Sequence, residues 1–420
     1  MLRCYRHLGL HNIEHYHRVP ISDAIPWTLH NLCHKTRQRG NYILYIYNIV
    51  FFHQLFHQGV YNICIFKPCN ISFIPGINTL SVIVSNICRN SSYCPVVDAL
   101  PEIKGVRKKI LFRVAGDGFL QVEYGVDQVF DLMDAFRLFT VMEKLGEKEY
   151  EIPGLISYGQ GFRTLTIIYD PLTISLQELI KILKDIEESI GSPEELAFRS
   201  RLVKLPIVFK DSITTKAIEY YRTYIRRDAP NIVEGHNFKY VAMYNGLTEE
   251  ELKEKILATE WLLVHQLFFP GGTYQLPIDP RSAIEAPKYN PTRTYTPEGT
   301  VGLGGQCLYI YTVESPGGYQ LLGRTIPTYQ LSQKHEAFRE RPYLLQASDR
   351  IKYYEIEEEK LLDIYKAVHE EGSSRYRYQI EEQVFRVKDW IDFINRDDVK
   401  REVQEFEKRK REAQKKIPIP

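Results

Sequence analysis

The chain has 420 residues, a formal net charge of +1 and 25% charged residues. This length predicts two or three domains of ordinary size. A net charge so close to zero gives no overall electrostatic reason to bind nucleic acid or an acidic membrane surface, so any partner should be recognised at a local site.

The first 104 residues differ in composition from the rest of the chain. Residues 1–100 hold three acidic side chains, eight lysines and arginines, six of the seven cysteines and eight of the twelve histidines. They lack a sustained helical or strand period, and their cysteine spacing does not fit a zinc site. No membrane helix or signal peptide is recognised, so we expect a cytoplasmic protein. Residues 1–104 are predicted to be an unstructured or spurious extension.

Residues 105–192 alternate between strand and helix signals. Apolar runs at 110–114 and 119–124 flank a Gly/Asp turn, as in a β-hairpin, and helical spacing of apolar residues follows. Two further short strands precede a helix that Ser175 and Glu178 open as a capping box. The pattern predicts a small ββαββα sandwich domain.

Residues 193–330 are rich in strands and turns. A strand at 201–209 and helices around 214–227 and 248–260 are followed by short apolar runs among many glycines and prolines. This composition favours a compact β-barrel with long loops. From residue 351 the pattern alternates briefly and then becomes helical, and residues 400–416 end as a charged helix that we interpret as a solvated spacer. Residues 331–420 are predicted to form a linker and a helical tail. The predicted fold class is therefore α+β, with a sandwich, a barrel and a helical tail.

Polar side chains and glycines concentrate between residues 268 and 325. Glycines let the backbone approach a ligand and expose N–H donors, while lysine and arginine can hold a carboxylate-like group. The segment contains three cations, two acids and two amides: Lys288, Arg293, Arg324, Glu298, Glu314, Asn290 and Gln306. A structural role in turns or at the barrel rim is the alternative for each of them. Their density predicts a polar ligand site, because sites often lie in loops on a rigid barrel.

Several short motifs in this segment resemble a single family. They are Phe-Pro-Gly-Gly at 269–272, Lys-Tyr-Asn-Pro-Thr-Arg at 288–293, Gly-Leu-Gly-Gly-Gln at 302–306 and Ser-Pro-Gly-Gly-Tyr at 315–319. Together they resemble the second cyclophilin-like half of the urea carboxylase carboxyltransferase, a half also known as allophanate hydrolase subunit 1. The resemblance extends from about Lys104 to Gln414.

The resemblance implies a cyclophilin-like barrel that takes part in urea degradation. Its activity would be that of a biotin-dependent ligase, in which a carboxyl group passes from carboxybiotin to urea to give allophanate. Carboxybiotin would be attached to a carrier domain outside this chain, which residues 331–420 would precede, and we expect the chain to bind neither ATP nor a metal. The implied partners are the first cyclophilin-like half, of the subunit 2 type, a biotin carboxylase and a biotin carrier. We expect the chain to be incomplete as an enzyme on its own.

Two related families and a second substrate remain as alternatives. One family is a bacterial inhibitor of a sporulation histidine kinase, which would make the chain a regulatory protein that acts by binding alone. The other is the corresponding subunit of bacterial 5-oxoprolinase. Guanidine is similar to urea in shape and size. No nucleic acid or membrane partner is expected.

The implied chemistry assigns roles to the polar residues, because negative charge develops on the biotin ureido oxygen and on the transferred CO2 unit. The candidate catalytic residues are Lys288, Asn290, Arg293, Glu298, Glu314 and Arg324. The candidate substrate-binding or biotin-binding residues are Gly304, Gly305, Gln306, Ser315, Gly317, Gly318, Tyr319 and Gln320. The backbone N–H groups of Gly304 and Gly305 are candidate donors, and several acids and amides remain candidates for the base.

Overall fold

The structure is a computed structural model that describes two strands within 64–73 and residues 95–125, 131–147, 151–370 and 375–420. Strands β1 (Cys64–Lys67) and β2 (Asn70–Phe73) form a two-stranded antiparallel sheet. They belong to one compact unit, Met1–Arg89, while a second unit spans Asn90–Pro420. Most of the predicted unstructured extension, residues 1–104, lies outside the described residues.

The second unit begins with a five-stranded antiparallel sheet and two helices. The strands are β3 (Val96–Leu100), β4 (Ile110–Val114), β5 (Phe119–Tyr124), β6 (Leu155–Gln160) and β7 (Thr164–Tyr169), in the order β3-β4-β5-β7-β6. The helices are α1 (Leu132–Leu145) and α2 (Leu176–Ser189). The predicted ββαββα arrangement is confirmed. Strand β3 adds an edge strand that begins before residue 105, where we expected the domain to start.

Local signals and one buried ion pair define this domain. The Ser175 hydroxyl and the Glu178 side chain cap the start of α2 reciprocally, as the capping box predicted. Arg137 of α1 pairs with Glu187 of α2 at 2.9 Å, and the Tyr124 hydroxyl donates to the same carboxylate at 2.7 Å. Because a buried charge is costly unless it is paired, these contacts fix both helices against the sheet.

The remaining strands build a barrel and its extensions. They are β8 (Ala197–Arg199), β9 (Leu202–Phe209), β10 (Trp261–Gln266), β11 (Thr273–Pro277), β12 (Arg293–Thr296), β13 (Thr300–Gly304), β14 (Cys307–Tyr311), β15 (Ser315–Gly317), β16 (Gln320–Thr325), β17 (Arg350–Glu355), β18 (Gln379–Glu381) and β19 (Val384–Arg386). Seven of them close a ring in the order β16-β13-β14-β11-β10-β17-β9, because β9 also pairs with β16. The predicted β-barrel is confirmed.

Six helices surround the barrel in the described part of the chain. They are α3 (Ser212–Tyr224), α4 (Asn237–Tyr244), α5 (Glu249–Ala258), α6 (Glu358–His369), α7 (Val387–Ile394) and α8 (Asp397–Gln414). Thr248 and Glu251 form the predicted capping box at the start of α5. Helix α4 was not predicted, yet its Phe238 and Val241 are fully buried in the same core as Trp261 of the barrel.

Residues 331–420 include the predicted helical tail, but the interpretation of its last helix as a solvated spacer is wrong. Strand β17 completes the barrel by pairing with β10 and, in parallel, with β9. Strands β18 and β19 pair with β9 and β8. Helix α8 buries Val399, Phe406 and Lys410, and the Lys410 ammonium donates to the Ala283 carbonyl oxygen at 2.9 Å. Phe385 and Val387 are buried in the core of the α+β domain, so the segment packs against both domains.

Candidate functional site

Arg293 begins β12 and is almost completely buried, with 1% of its surface exposed. Its Nη1 donates to the Tyr319 carbonyl oxygen at 2.6 Å, and its Nη2 donates to the Thr296 hydroxyl at 3.1 Å. Its guanidinium carbon lies 4.4 Å from the centre of the Tyr289 ring. Both Nη atoms of this guanidinium therefore bond to oxygen atoms of the protein itself. These bonds join β12 to the residue preceding β16.

Arg293 and four other buried side chains form a group that we call the buried polar cluster: Asn231, Asn237, Tyr289, Arg293 and Gln320. The Oδ1 of Asn237 accepts from the Tyr289 hydroxyl at 2.7 Å and from the Leu321 N–H at 3.0 Å. Its Nδ2 donates to the Asn231 carbonyl oxygen at 2.7 Å. The Asn231 side chain donates in turn to Gln320 at 2.9 Å. The cluster thus ties the start of α4 to β16 and to the loop before β12.

His236 lies beside this cluster and begins α4. Its Nδ1 accepts from the Phe238 N–H at 3.1 Å, so the ring proton is on Nε2. Burial, and to a smaller extent the charge of Lys210, lowers the pKa of His236 to about 3. His236 is therefore neutral near pH 7. Its Nε2, the Arg293 Nε and the Asn231 Oδ1 are buried without a hydrogen-bond partner among the residues that the structure describes.

Glycines beside the buried polar cluster make room for aromatic rings. Four tyrosines pack in edge-to-face pairs: Tyr274, Tyr309, Tyr311 and Tyr319. A Cβ atom on Gly304 would lie 2.2 Å from the Tyr319 ring, and one on Gly317 would lie 2.4 Å from the Tyr311 hydroxyl. These two glycines therefore allow close packing of the rings, which is a structural role.

The backbone donor predicted at Gly305 is already used inside the fold. Its N–H donates to the Ala286 carbonyl oxygen at 2.7 Å, and its carbonyl accepts from the Ala286 N–H at 2.9 Å. Gly304 pairs with Cys307 where β13 turns into β14. The prediction of a free donor at Gly305 is wrong, because the bridge to residue 286 satisfies that N–H group.

The other candidate binding residues shape the neighbouring loops. Gln306 is exposed in the turn between β13 and β14. The Ser315 hydroxyl donates to the Val313 carbonyl oxygen at 3.1 Å. The Gly318 carbonyl oxygen accepts from the Tyr289 N–H at 2.6 Å. Each of the last two contacts is internal to the loops that flank β12 and β15.

Arg324, the other candidate arginine, belongs to a second group of side chains. We call this group the arginine–histidine cluster: Asp211, Glu298, Arg324, Tyr365 and His369. Arg324 is 7% exposed and donates from Nε to the Glu298 carbonyl oxygen at 3.0 Å. Its guanidinium carbon lies 4.3 Å from the centre of the Tyr365 ring. The guanidinium also donates to the Tyr365 hydroxyl. Arg324 is thus held in place while part of its donor capacity remains available.

Two titratable groups adjoin Arg324. The Nε2 of His369 lies 3.3 Å from the Glu298 carboxylate, and this hydrogen bond raises the pKa of His369. Asp211 is buried at the start of α3, where burial raises its pKa despite hydrogen bonds from Thr214 and the nearby charge of Arg324. The cluster therefore combines a fixed cation with groups that can change charge.

The three remaining candidate catalytic residues are exposed. The Lys288 ammonium lies 5.5 Å from the centre of the Tyr319 ring. The Asn290 carbonyl oxygen accepts from Arg226 at 2.7 Å, and the Tyr295 hydroxyl lies 3.3 Å from the Glu314 carboxylate. The predicted residues thus fall into two clusters and an exposed rim.

Sequence reasoning missed the residues that hold these clusters together. Asn231 and Asn237 lie in a stretch that gave no clear element, and a buried asparagine has no periodic signal of its own. Tyr365 and His369 belong to α6, within the segment that we interpreted as a linker. Their role depends on α6 packing beside β16, which is a long-range contact.

Neither a metal site nor a membrane span is found in the part of the chain that the structure describes. No three or more His, Cys, Asp or Glu side chains there are grouped so that they could hold a metal ion. No helix there is both long and apolar enough to cross a bilayer.

Comparison with known proteins gives matches over the same region. A family model described as the carboxyltransferase domain, subdomain C and D, matches residues 110–339. Urea amidolyase of Lachancea kluyveri is 33% identical over 317 residues, covering 75% of this chain and 17% of that protein. The crystal structure of Kluyveromyces lactis urea carboxylase has a TM-score of 0.63 and 28% identity, covering 77% of this chain and 29% of that one. A 5-oxoprolinase subunit of Bacillus subtilis is 27% identical over 212 residues, covering 50% of this chain and 80% of that protein.

The family match covers more than half of the chain and includes the whole buried polar cluster, but it ends before Tyr365 and His369 of the arginine–histidine cluster. The chain spans only 17% of the length of the urea amidolyase and 29% of the urea carboxylase that it resembles. The chain belongs to the family of the carboxyltransferase domain, subdomain C and D.

Proposed function

We propose that this chain is part of the carboxyltransferase of a biotin-dependent urea carboxylase, which converts urea into allophanate. The observation that carries the proposal is the state of Arg324, a nearly buried guanidinium that is fixed by the Tyr365 ring and by a hydrogen bond from its Nε to the Glu298 carbonyl oxygen. A cation fixed in this way can stabilise negative charge on a transferred carboxylate without reorganising first.

Carboxybiotin, delivered by a carrier, would supply the activated carboxyl group. The residues of this chain would bind and orient the reacting groups. Stacking on Tyr365 and the hydrogen bond to the Glu298 carbonyl fix Arg324, so that its Nη donors can hold a carboxylate. Lys288 at the rim would add a second cation. The buried polar cluster would keep the loop between the two cations in place.

The contacts of the two candidate carboxylates favour urea over guanidine as the substrate. Guanidinium is a cation and needs an unpaired carboxylate, whereas neutral urea presents N–H donors and one carbonyl acceptor. The Glu298 carboxylate contacts His369, and the Glu314 carboxylate contacts the Tyr295 hydroxyl. We therefore expect a higher kcat/KM for urea than for guanidine. A tenfold preference for guanidine would overturn this choice.

Reconstitution tests the proposed function directly. The full chain should show no ATP-dependent carboxylation of urea alone. It should support carboxyl transfer once the first cyclophilin-like half and a biotinylated, carboxylated carrier are added, with formation of allophanate as the measurement. ATP turnover that urea stimulates in the chain alone would refute the proposal.

The second candidate function is that of a 5-oxoprolinase subunit. It is favoured by the match that covers most of the Bacillus subtilis protein. Cleavage of 5-oxoproline by a reconstituted complex, with no transfer to urea, would select this candidate. Direct inhibition of a histidine kinase that persists in Arg324→Ala would instead indicate a regulatory protein that acts by binding alone.

A further inference from the structure

Helix α3 carries an exposed aromatic surface. Tyr220 and Tyr224 are 48% and 73% exposed, and their ring centres lie 4.8 Å apart. They follow Lys216 at intervals of four residues, so the three side chains lie on one side of the helix. The buried side of α3 is formed by other residues, including Ala217 and Tyr221. Two large exposed rings in contact are unusual for a helix that only covers a barrel.

The same segment is basic. Residues 216–227 contain four basic side chains and a single acidic one. Arg226 pairs with Asp228 at 3.3 Å. Lys216, Arg222 and Arg227 are not seen in an ion pair with any residue that the structure describes. Their charges therefore remain available to an acidic partner.

Helix α3 is joined to the candidate site. The Tyr221 hydroxyl donates to the Pro291 carbonyl oxygen, and Arg226 donates to the Asn290 carbonyl oxygen, both at 2.7 Å. The rings of Tyr221 and Tyr289 meet edge to face at 4.6 Å. A partner bound to α3 would therefore lie beside the loop that carries Lys288.

We propose that the surface formed by Lys216, Tyr220 and Tyr224 of α3, together with Arg227 in the turn after this helix, is the docking surface for an acidic face of the biotin carrier. Tyrosine and arginine are the side chains that most often dominate binding energy at protein interfaces. Unpaired basic charges steer an acidic partner and suppress others. A second copy of this chain fits less well, because a symmetric contact would place basic side chains against each other. The inference rests on the proposed carboxyltransferase function.

The test compares carrier-linked carboxybiotin with free carboxybiotin as the donor. Full-length chain and the first cyclophilin-like half form the complex, and carboxyl transfer to urea is measured. Tyr224→Ala and Arg227→Glu should each raise KM for the carrier about tenfold, the loss of one modest interface contact. Neither should change kcat or KM for free carboxybiotin. Arg411→Glu is the matched control, because the Arg411 side chain is exposed on α8, and it should leave all kinetic constants unchanged.

Salt and oligomeric state complete the test. Raising the ionic strength should increase KM for the carrier in the wild type and less so in Arg227→Glu. Unchanged carrier KM in both variants, while transfer proceeds, would overturn the docking inference. A wild-type dimer that Tyr224→Ala dissociates would also overturn it, in favour of a second copy. No transfer from either donor in the wild type would refute the proposed function instead.

Discussion

The buried polar cluster and the arginine–histidine cluster each contain a candidate arginine, and the two arginines differ in their environment. Arg293 donates from both Nη atoms to protein oxygens, and His236, which precedes Asn237 of the same cluster, is held neutral by burial. Arg324 donates from Nε to a backbone carbonyl oxygen, and His369 of the same cluster pairs with the Glu298 carboxylate. The difference suggests that one cluster shapes the site and that the other meets the reacting groups.

Substitution of Arg324 and substitution of Arg293 should therefore have different effects. Arg324→Ala should lower kcat for carboxyl transfer about 10²–10³-fold in the reconstituted complex, because a lost preorganised donor costs about 3–4 kcal/mol in the barrier. Its free energy of unfolding should fall by only about 1 kcal/mol. Arg293→Ala should instead lower the free energy of unfolding by about 3 kcal/mol, because it leaves buried acceptors without a partner. Steady-state kinetics and urea unfolding measure both effects.

Arg324→Lys is the control for the first variant, since it keeps the charge but loses the planar pair of donors. An intermediate kcat is expected. If Arg324→Ala unfolded the protein as strongly as Arg293→Ala, the division of roles between the clusters would be abandoned.

Asn237→Ala tests whether the buried polar cluster acts as a unit. The variant leaves the Tyr289 hydroxyl and the Leu321 N–H without their acceptor. We expect the free energy of unfolding to fall by about 2–3 kcal/mol, the cost of buried polar groups left unpaired. Gln306→Ala removes an exposed amide and should change stability by less than about 0.5 kcal/mol. Equal effects of the two variants in urea unfolding would show that the cluster does not support the fold.

The sequence predicted best those elements that local contacts determine. The capping boxes at Ser175 and Thr248 involve residues three positions apart, and both were found where expected. A brief alternation from residue 351 was the only sequence signal of β17, because this strand is defined by parallel pairing with β9, far earlier in the chain. Helix α4 has only eight residues, which is too short for a clear apolar period.

The sequence predicted which polar residues lie in the candidate segment, but not how the fold arranges them. Arg293 and Arg324 lie in the same polar segment, yet β12 pairs outside the barrel with β15 while β16 is part of the ring. A register shift between Val301 and Gly302 of β13 interrupts the pairing of β13 with β16. Sequence also cannot show that the Gly305 N–H is already bonded to residue 286. Which donors remain free depends on these long-range pairings.

His236 should make the buried polar cluster sensitive to acid. Its pKa is about 3 in the folded chain and about 6.5 when unfolded, so the unfolded chain takes up a proton first as pH falls. The stability that neutral His236 contributes is complete above about pH 6.5 and is lost as pH falls towards 3. Between pH 7 and pH 5 the loss should be about 2 kcal/mol, because the slope approaches about 1.4 kcal/mol per pH unit below the pKa of the unfolded chain.

The comparison variant for this acid sensitivity is His236→Asn. Asparagine can still cap α4 but does not titrate. Urea unfolding at pH 5 and pH 7 should therefore show a smaller loss in the variant than in the wild type. Equal losses would mean that other groups cause the acid sensitivity.

The smallest expected effect has the opposite sign and belongs to His369. Pairing with Glu298 raises the pKa of His369 above its ordinary value, so its contribution to stability is complete below about pH 6.5 and is lost as pH rises through the raised pKa. The side chains are 42% and 28% exposed, and screening by solvent limits the effect to a few tenths of a kcal/mol. The unfolding free energy of the wild type minus that of His369→Gln should be positive at pH 6 and near zero at pH 8, at low ionic strength. A difference that instead grew towards pH 8 would contradict the ion pair. Because His236 and His369 act in opposite directions, the pH profile of each single variant identifies which cluster has been disturbed.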